Sequence, residues 1–429
     1  MTKHVPRAEA PVSTAIPTGR WFEADGGIRG PISIKVYGLA NMKAWAWLVP
    51  AVASAAGASA AYIMQQRQES KDWALLRPPG NFVNLKPQLP VHCVVKQNSS
   101  AAGVHGRPIV VLEAASITQD WSRVIDEVAK FTTVVTYDRA GLGFSSHCAT
   151  ETLTYPRSAR QLSQELGQIM EALPNATTEN GVILVGHGHG AAIAIEACRH
   201  QTVPNVVGLL LLDPVCGVQE KHKKISTDIA TAIDGMQSGA QALVHLSKFG
   251  IARIFMGLPN SIQSLSKLYP PKDCPTVQLL SSKVTMRNTI CKEVQCYEKD
   301  DQQLNALIHG SDAMMNGHDI PILVVGHGNA DMFKELASVG ETESAQQRLE
   351  RLEHIWQTGQ QELAQALSPD AKYVRASKTS HHMPQKHPTM TVDAIKSVFD
   401  AGRRRGNSDA LELFQQKYHS DKVVGVRNT

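Results

Sequence analysis

The chain has 429 residues, enough for one large domain with extensions at both ends. Hydrophobic residues make up 42% of it and charged residues 19%, a composition that excludes an intrinsically disordered protein. The net charge of +4 is too small to indicate nucleic-acid binding, and the seven scattered cysteines form no CxxC pair, so we expect no nucleic-acid partner, no disulfide scaffold, no metal and no other cofactor.

The first predicted element is a transmembrane helix over residues 44–64. Ala44–Met64 contains no charged residue, and at about 1.5 Å per residue this run spans roughly 30 Å, the thickness of a bilayer core. A polar arm, residues 1–43, precedes it, and a linker, residues 65–90, follows it. The alternative is a buried, alanine-rich soluble helix, which Pro50 would kink.

Beyond the linker, short β-branched runs alternate with helix-like stretches. This pattern predicts a mostly parallel sheet covered by helices. Near-continuous apolar runs are typical of strands buried on both faces. The clearest predicted strands are Ile109–Glu113, Thr133–Tyr137, Val182–Val185, Val207–Leu212 and Ile322–Val325. A long amphipathic helix over Glu341–Leu367 is expected to cover the sheet.

The sequences at the predicted strand ends resemble the α/β-hydrolase fold superfamily. Tyr137–Ser145 resembles the turn after the fourth strand of that fold, and Leu211–Val215 resembles the end of its sixth strand. Ser380–Met383 resembles its histidine loop. The resemblance implies a hydrolase-like domain over residues 91–402, with a helical cap at about residues 216–319. Residues 403–429 are left as a C-terminal tail.

The most informative motif is Gly186-His187-Gly188-His189-Gly190, which follows a predicted strand and precedes a helical stretch. It resembles the nucleophile elbow, whose pattern is G-x-S-x-G. The outer glycines match, but the central residue is Gly188, which has no side chain. The elbow holds this position at positive φ, which glycine adopts at little cost. The resemblance therefore implies a pseudoenzyme that keeps the elbow backbone and has no catalytic residues.

Other members of the family's catalytic triad have counterparts in this sequence. His381 occupies the position of the general base. Asp331 is the first candidate for the acid that orients it, and Asp213 is the second. The order elbow, acid, histidine is the family order. Gly188, Asp331 and His381 are thus predicted to be vestigial triad positions.

Two alternatives would keep chemistry at this site. Ser116, Cys216 or His189 could replace the missing serine, although neither Ser116 nor Cys216 lies on an elbow, and the family uses the backbone N–H at the position of His189. Imidazole groups could instead converge on a metal ion. The histidines in question are His187, His189, His327, His381 and His382. We expect neither alternative.

An inactive hydrolase-like domain with one membrane helix and polar extensions favours a structural role. We expect an accessory subunit of a membrane protein complex, single-pass and located in the mitochondrial inner membrane, such as a respiratory or ATP synthase complex. The polar arm and the absence of a disulfide pattern fit that membrane better than the secretory route. The alternatives are a pseudoenzyme that binds a lipid or acyl chain in the old pocket, and a membrane-anchored ester hydrolase with a substitute nucleophile.

Overall fold

The structure is a computed structural model that forms two compact units, residues 1–56 and residues 57–429. The described residues are 38–86, 89–97, 106–113, 116–147, 157–173, 178–215, 238–308, 319–329, 343–403 and 409–420. Most of the predicted N-terminal arm, the end of the predicted tail and Asp331 lie outside them. The first helix, α1, runs over Gly38–Leu75.

An eight-stranded sheet forms the centre of the larger unit. Its spatial order is β1-β2-β4-β3-β5-β6-β7-β8. The strands are β1 (Asn81–Leu85), β2 (Leu89–Lys96), β3 (Ile109–Glu113), β4 (Val134–Tyr137), β5 (Val182–His187), β6 (Val206–Leu212), β7 (Ile322–Gly328) and β8 (Lys372–Ser377). The β1–β2 and β2–β4 pairs are antiparallel, and every pair among β3 to β8 is parallel. The predicted mostly parallel sheet is confirmed.

The strands are apolar because helices cover both faces of the sheet. All five residues of β3 are buried, and its side chains alternate between two cores. Val111 belongs to the core beneath one helical layer, whereas Val110 and Leu112 belong to the core beneath the other. This two-sided burial explains why the strands appear in the sequence as continuous apolar runs.

The remaining helices divide into the two sheet-covering layers and a cap. The helices before β7 are α2 (Ile125–Ala129), α3 (Ala159–Ala172), α4 (His189–Arg199), α5 (residues 238–248), α6 (Ile251–Met256), α7 (Pro259–Leu268), α8 (Cys274–Ser281) and α9 (Val284–Ile308). Those after β7 are α10 (Glu343–Leu367), α11 (Met383–Lys386), α12 (Pro388–Arg403) and α13 (Asp409–Tyr418). We call α5 to α9, which lie between β6 and β7, the cap helices.

The predicted membrane span lies within α1. Residues 44–64 do form helix, as part of α1. However, none of the helices in the described ranges combines the length and the apolar character that crossing a bilayer requires. The span over residues 44–64 stays a prediction that the described residues do not support.

Candidate active-site region

The turn between β5 and α4 has the geometry of a nucleophile elbow. β5 ends at His187, α4 begins at His189, and Gly188 between them has φ 58° and ψ −121°. An L-residue rarely adopts a positive φ of this kind, whereas glycine does so without strain. A Cβ atom added to Gly186 would lie 2.5 Å from the Cα of Ala191, so the strand and the helix approach closely only because residue 186 has no side chain.

His381 and Asp213 form the pair that would serve an elbow nucleophile. Nδ1 of His381 lies 2.6 Å from Oδ2 of Asp213. Asp213 directly follows β6, and His381 lies in the loop after β8. With an ionised Asp213, Nδ1–H donates and Nε2 remains free to accept a proton, which is the arrangement of a general base with its orienting carboxylate. The first candidate for that carboxylate, Asp331, lies outside the described residues. Among those described, Asp213 is the carboxylate that contacts His381.

Asp213 is also held by three other side chains. Nδ1 of His327 lies 2.8 Å from both of its oxygens, the indole N–H of Trp356 donates to Oδ1 at 3.0 Å, and the amide of Gln360 donates to Oδ1 at 2.7 Å. The carboxylate is fully buried. Burial alone would raise its pKa, but His327 and His381 hold the pKa of Asp213 well below its usual range. A buried carboxylate with hydrogen bonds to four side chains stabilises the fold around it.

His327 bridges two carboxylates. Its Nδ1 faces Asp213, and its Nε2 lies 3.0 Å from Oε2 of Glu353 on α10. Burial would lower the pKa of His327, but the two facing carboxylates raise it to about 10. The ring is thus protonated at neutral pH and neutralises Asp213. The sequence suggests His327 only as an alternative metal ligand. Because β6 and β7 are parallel neighbours, residues at their carboxyl ends lie close together. This adjacency is the signal that could have paired His327 with Asp213.

The other histidines of the region are held separately. Nε2–H of His187 donates to the backbone carbonyl of His381 at 2.8 Å, and burial, with His381 nearby, lowers the pKa of His187 to about 3. Nε2 of His189 lies 3.1 Å from Oδ2 of Asp300 on cap helix α9. Burial also lowers the pKa of His382, to about 4. Within the described ranges, no group of three or more His, Cys, Asp or Glu side chains is placed to hold a metal ion.

Of the two other candidate nucleophiles, the structure describes Ser116 but not Cys216. The backbone N–H of Ser116 donates to Oδ2 of Asp120 at 3.2 Å, in the loop after β3. This bond ties the Ser116 backbone to its own loop. Cys216 lies outside the described residues.

A second buried ionic group joins the sheet to the cap. Arg139, just after β4, donates to Oε1 of Glu113 at 2.6 Å and to Oε2 of Glu293 at 2.7 Å. Glu113 ends β3, next to Gly186 of β5 in the sheet register, and Glu293 lies on α9. For Glu113 the effect of burial is the larger, and it raises the pKa to about 8 although Arg139 lowers it. For Glu293 the effect of Arg139 is decisive, and the pKa lies below its usual value although burial raises it. No local motif marks this group in the sequence, because its members lie far apart along the chain.

The strand order, the elbow and the His381–Asp213 pair together are the framework of one fold family, and comparison with known proteins agrees. The pattern of the alpha/beta hydrolase family matches residues 104–394. The chain belongs to this family.

Known relatives are distant. An AB hydrolase superfamily protein of Gibberella zeae is 23% identical over 304 residues, which cover 68% of this chain and 86% of that protein. An uncharacterised protein of Bacillus subtilis is 27% identical over 111 residues, 25% of this chain and 40% of that protein. The structure of a mutant of a proposed epoxide hydrolase from Pseudomonas aeruginosa superimposes with a TM-score of 0.51 at 14% identity, covering 77% of this chain and 99% of that one. The structural likeness concerns the fold alone.

Proposed function

We propose that this chain is a catalytically inactive member of the alpha/beta hydrolase family that serves as an accessory, structural subunit of a membrane protein complex in the mitochondrial inner membrane. The observation that carries the first part is Gly188. The elbow keeps its positive φ of 58°, yet the residue at its apex offers no hydroxyl, thiol or carboxylate. Covalent catalysis on this fold requires such a group, activated by the neighbouring histidine.

The surroundings of Asp213 support the same proposal. In a working triad the acid stabilises the imidazolium that forms on the catalytic histidine. Here Asp213 already faces a protonated His327 at 2.8 Å and accepts from Trp356 and Gln360. The negative charge is therefore shared with a second histidine. Such an arrangement suits a structural anchor beneath the elbow better than a carboxylate kept for a reaction.

The loss of activity is tested with a phosphonate probe that labels serine hydrolases covalently. We expect no labelling of the wild-type protein, because no nucleophile stands on the elbow. Gly188→Ser is the matched variant, since it adds only a hydroxymethyl group at that apex. Labelling of this variant alone would trace the lost activity to residue 188.

The opposite result has a clear meaning. Strong labelling of the wild type that His381→Ala abolishes would show that another residue acts as the nucleophile. The chain would then be an ester hydrolase rather than a pseudoenzyme. Labelling that persists in His381→Ala would indicate nonspecific reaction of the probe, and the site would have to be assayed by turnover of acyl esters.

The subunit role rests on α1 and on the uncharged stretch that it contains. Residues 44–64 carry no charge, and residues 53–60 of the helix are all exposed. A long, smooth helical surface of this kind lets other helices approach closely. Extraction of native membranes with a mild detergent, followed by a native gel, tests the role. We expect migration well above the 46.6 kDa of one chain, together with partner subunits. Migration as a single chain would refute the subunit role.

A further inference from the structure

The cap exposes several large apolar side chains close together in the sequence. On α6, Ile254 is 67% exposed and Phe255 is 52% exposed. Leu258 and Ile262, one helical turn apart at the start of α7, are 44% and 47% exposed, and Phe249 just before α6 is 40% exposed. Single exposed apolar residues are ordinary, but a group of this size marks an interaction surface. We call these five residues the cap face.

A turn of α1 adjoins the cap face. Tyr62 and Ile63 are 45% and 49% exposed, and they line an open cleft of ≈ 310 Å³ together with Phe249. The apolar surface therefore extends from the cap helices onto α1. Tyr62 and Ile63 belong to the uncharged stretch of residues 44–64 on the same helix.

Buried ion pairs hold α1 against the cap at this place. Asp72 of α1 accepts from Arg253 of α6 at 2.5 Å and from Lys283 at 2.9 Å. The Lys283 ammonium group also lies 4.9 Å from the ring centre of Trp73. Asp72 and Lys283 are each 2% exposed in their side chains, so the pair is inside the protein. These ion pairs thus fasten α1 to the cap helix that carries Ile254 and Phe255.

The charges within the chain segment that carries the cap face have one sign. Residues 235–272 contain no aspartate or glutamate, but they contain four basic residues. Arg253 is committed to Asp72, while Lys267 and Lys272 are exposed. Apolar side chains flanked by lysines, with no acidic residue among them, match the surface of a bilayer that contains anionic lipids. A protein partner would usually be met by a mixture of charges at the rim.

From these observations we infer that the cap face, with Tyr62 and Ile63, docks in the plane of a membrane surface rich in anionic phospholipid. This inference deepens the proposed function, because it rests on the membrane location and names the surface and lipid class that hold the domain there. The apolar side chains enter the boundary between head groups and acyl chains, and Lys267 and Lys272 face the phosphates. Docking of this kind requires no helix that crosses the bilayer.

Vesicle flotation of the full-length chain tests the inference. Vesicles of phosphatidylcholine with phosphatidylglycerol are compared with vesicles of phosphatidylcholine alone. We expect the wild type to prefer the anionic vesicles, and the double variant Ile254→Asp/Phe255→Asp to bind them at least about tenfold more weakly, since two exposed apolar side chains that enter the membrane are replaced by charged ones. Leu413→Asp is the matched control, because Leu413 is 64% exposed but lies on α13, outside the cap face. It should bind like the wild type.

Two further measurements distinguish a loss of membrane contact from a folding defect of the double variant. Lys267→Glu/Lys272→Glu should weaken binding to anionic vesicles and leave binding to phosphatidylcholine alone unchanged. Hydrogen–deuterium exchange of the wild type should show slower exchange in residues 249–262 when vesicles are added, and no change in residues 409–418. The second measurement needs no substitution, so a folding defect cannot imitate it.

The outcomes separate this inference from the subunit role. Binding by Ile254→Asp/Phe255→Asp at the wild-type level, or no vesicle binding by the wild type, would overturn the inference. Loss of the native complex in that variant with unchanged vesicle binding would also overturn it, because the face would then be a protein interface. Vesicle binding that depends on the cap face in a chain that migrates alone would uphold the inference while the subunit role fails.

Discussion

Asp213→Asn is expected to lower the free energy of unfolding by about 3–5 kcal/mol, the usual cost of removing one partner from a buried ion pair. Asp213 accepts from His327, His381, Trp356 and Gln360, and all of its surface is buried. Asparagine keeps the shape but removes the negative charge and replaces one acceptor oxygen with a donor. His327 is then left with a single carboxylate. Urea denaturation at neutral pH measures the loss.

Asp370→Asn is the control for this substitution. Asp370 is exposed, and its backbone N–H donates to the hydroxyl of Ser368. Its replacement should change stability by no more than about 0.5 kcal/mol. A cost for Asp213→Asn as small as that of the control would show that the carboxylate is not an anchor, and the site would have to be reconsidered as one kept for catalysis.

The stability that His327 and Asp213 give each other is expected to depend on pH. The pKa of His327 is raised above its ordinary value of 6.5, to about 10. Its contribution to stability is therefore complete below about pH 6.5 and is lost as the pH rises through about 10. The difference between the wild type and Asp213→Asn should shrink over this range, because the wild type loses what the variant already lacks. A constant difference would contradict the assigned charge of His327.

Arg139→Ala should be about as damaging, with a loss of about 3–5 kcal/mol in the free energy of unfolding. Arg139 is 2% exposed and donates to Glu113 and Glu293, whose side chains are each 3% exposed. Without it, the Glu293 carboxylate remains buried with no cation beside it, and Glu113, whose pKa burial raises to about 8, loses its hydrogen-bond donor. The cap helix α9 also loses an ionic connection to the ends of β3 and β4. Urea denaturation again measures the effect, with the cap followed by hydrogen exchange of α9.

Two comparisons make this prediction specific. Arg77→Ala, at an exposed position before β1, should alter stability by no more than about 0.5 kcal/mol. The triple variant Arg139→Met/Glu113→Gln/Glu293→Gln removes the whole set of charges, and it should recover much of the loss, because no unpaired charge remains. If the triple variant is less stable than Arg139→Ala, the cost comes from lost packing rather than from uncompensated carboxylates.

The link between α1 and the cap is a feature that the sequence does not show. The helix predicted over residues 44–64 does form, as part of α1. An apolar surface does lie next to it, on the cap face, but four helices separate that face from α1 in the sequence. The tertiary contacts reveal that the two belong together, through the ion pairs of Asp72 with Arg253 and Lys283 and the cleft that Tyr62 and Ile63 line with Phe249.

The sequence by itself determined the parallel strands and the elbow, because both depend on neighbouring residues. Continuous β-branched runs form strands buried on both faces, and Gly186 and Gly188 permit the sharp turn from β5 to α4. The tertiary structure alone decided which charged side chains form ion pairs and hydrogen bonds with each other. Asp213 meets His381 across 168 residues, and Arg139 meets Glu293 across 154. Such pairings leave no periodic pattern along the chain, since they arise where strand ends and cap helices converge.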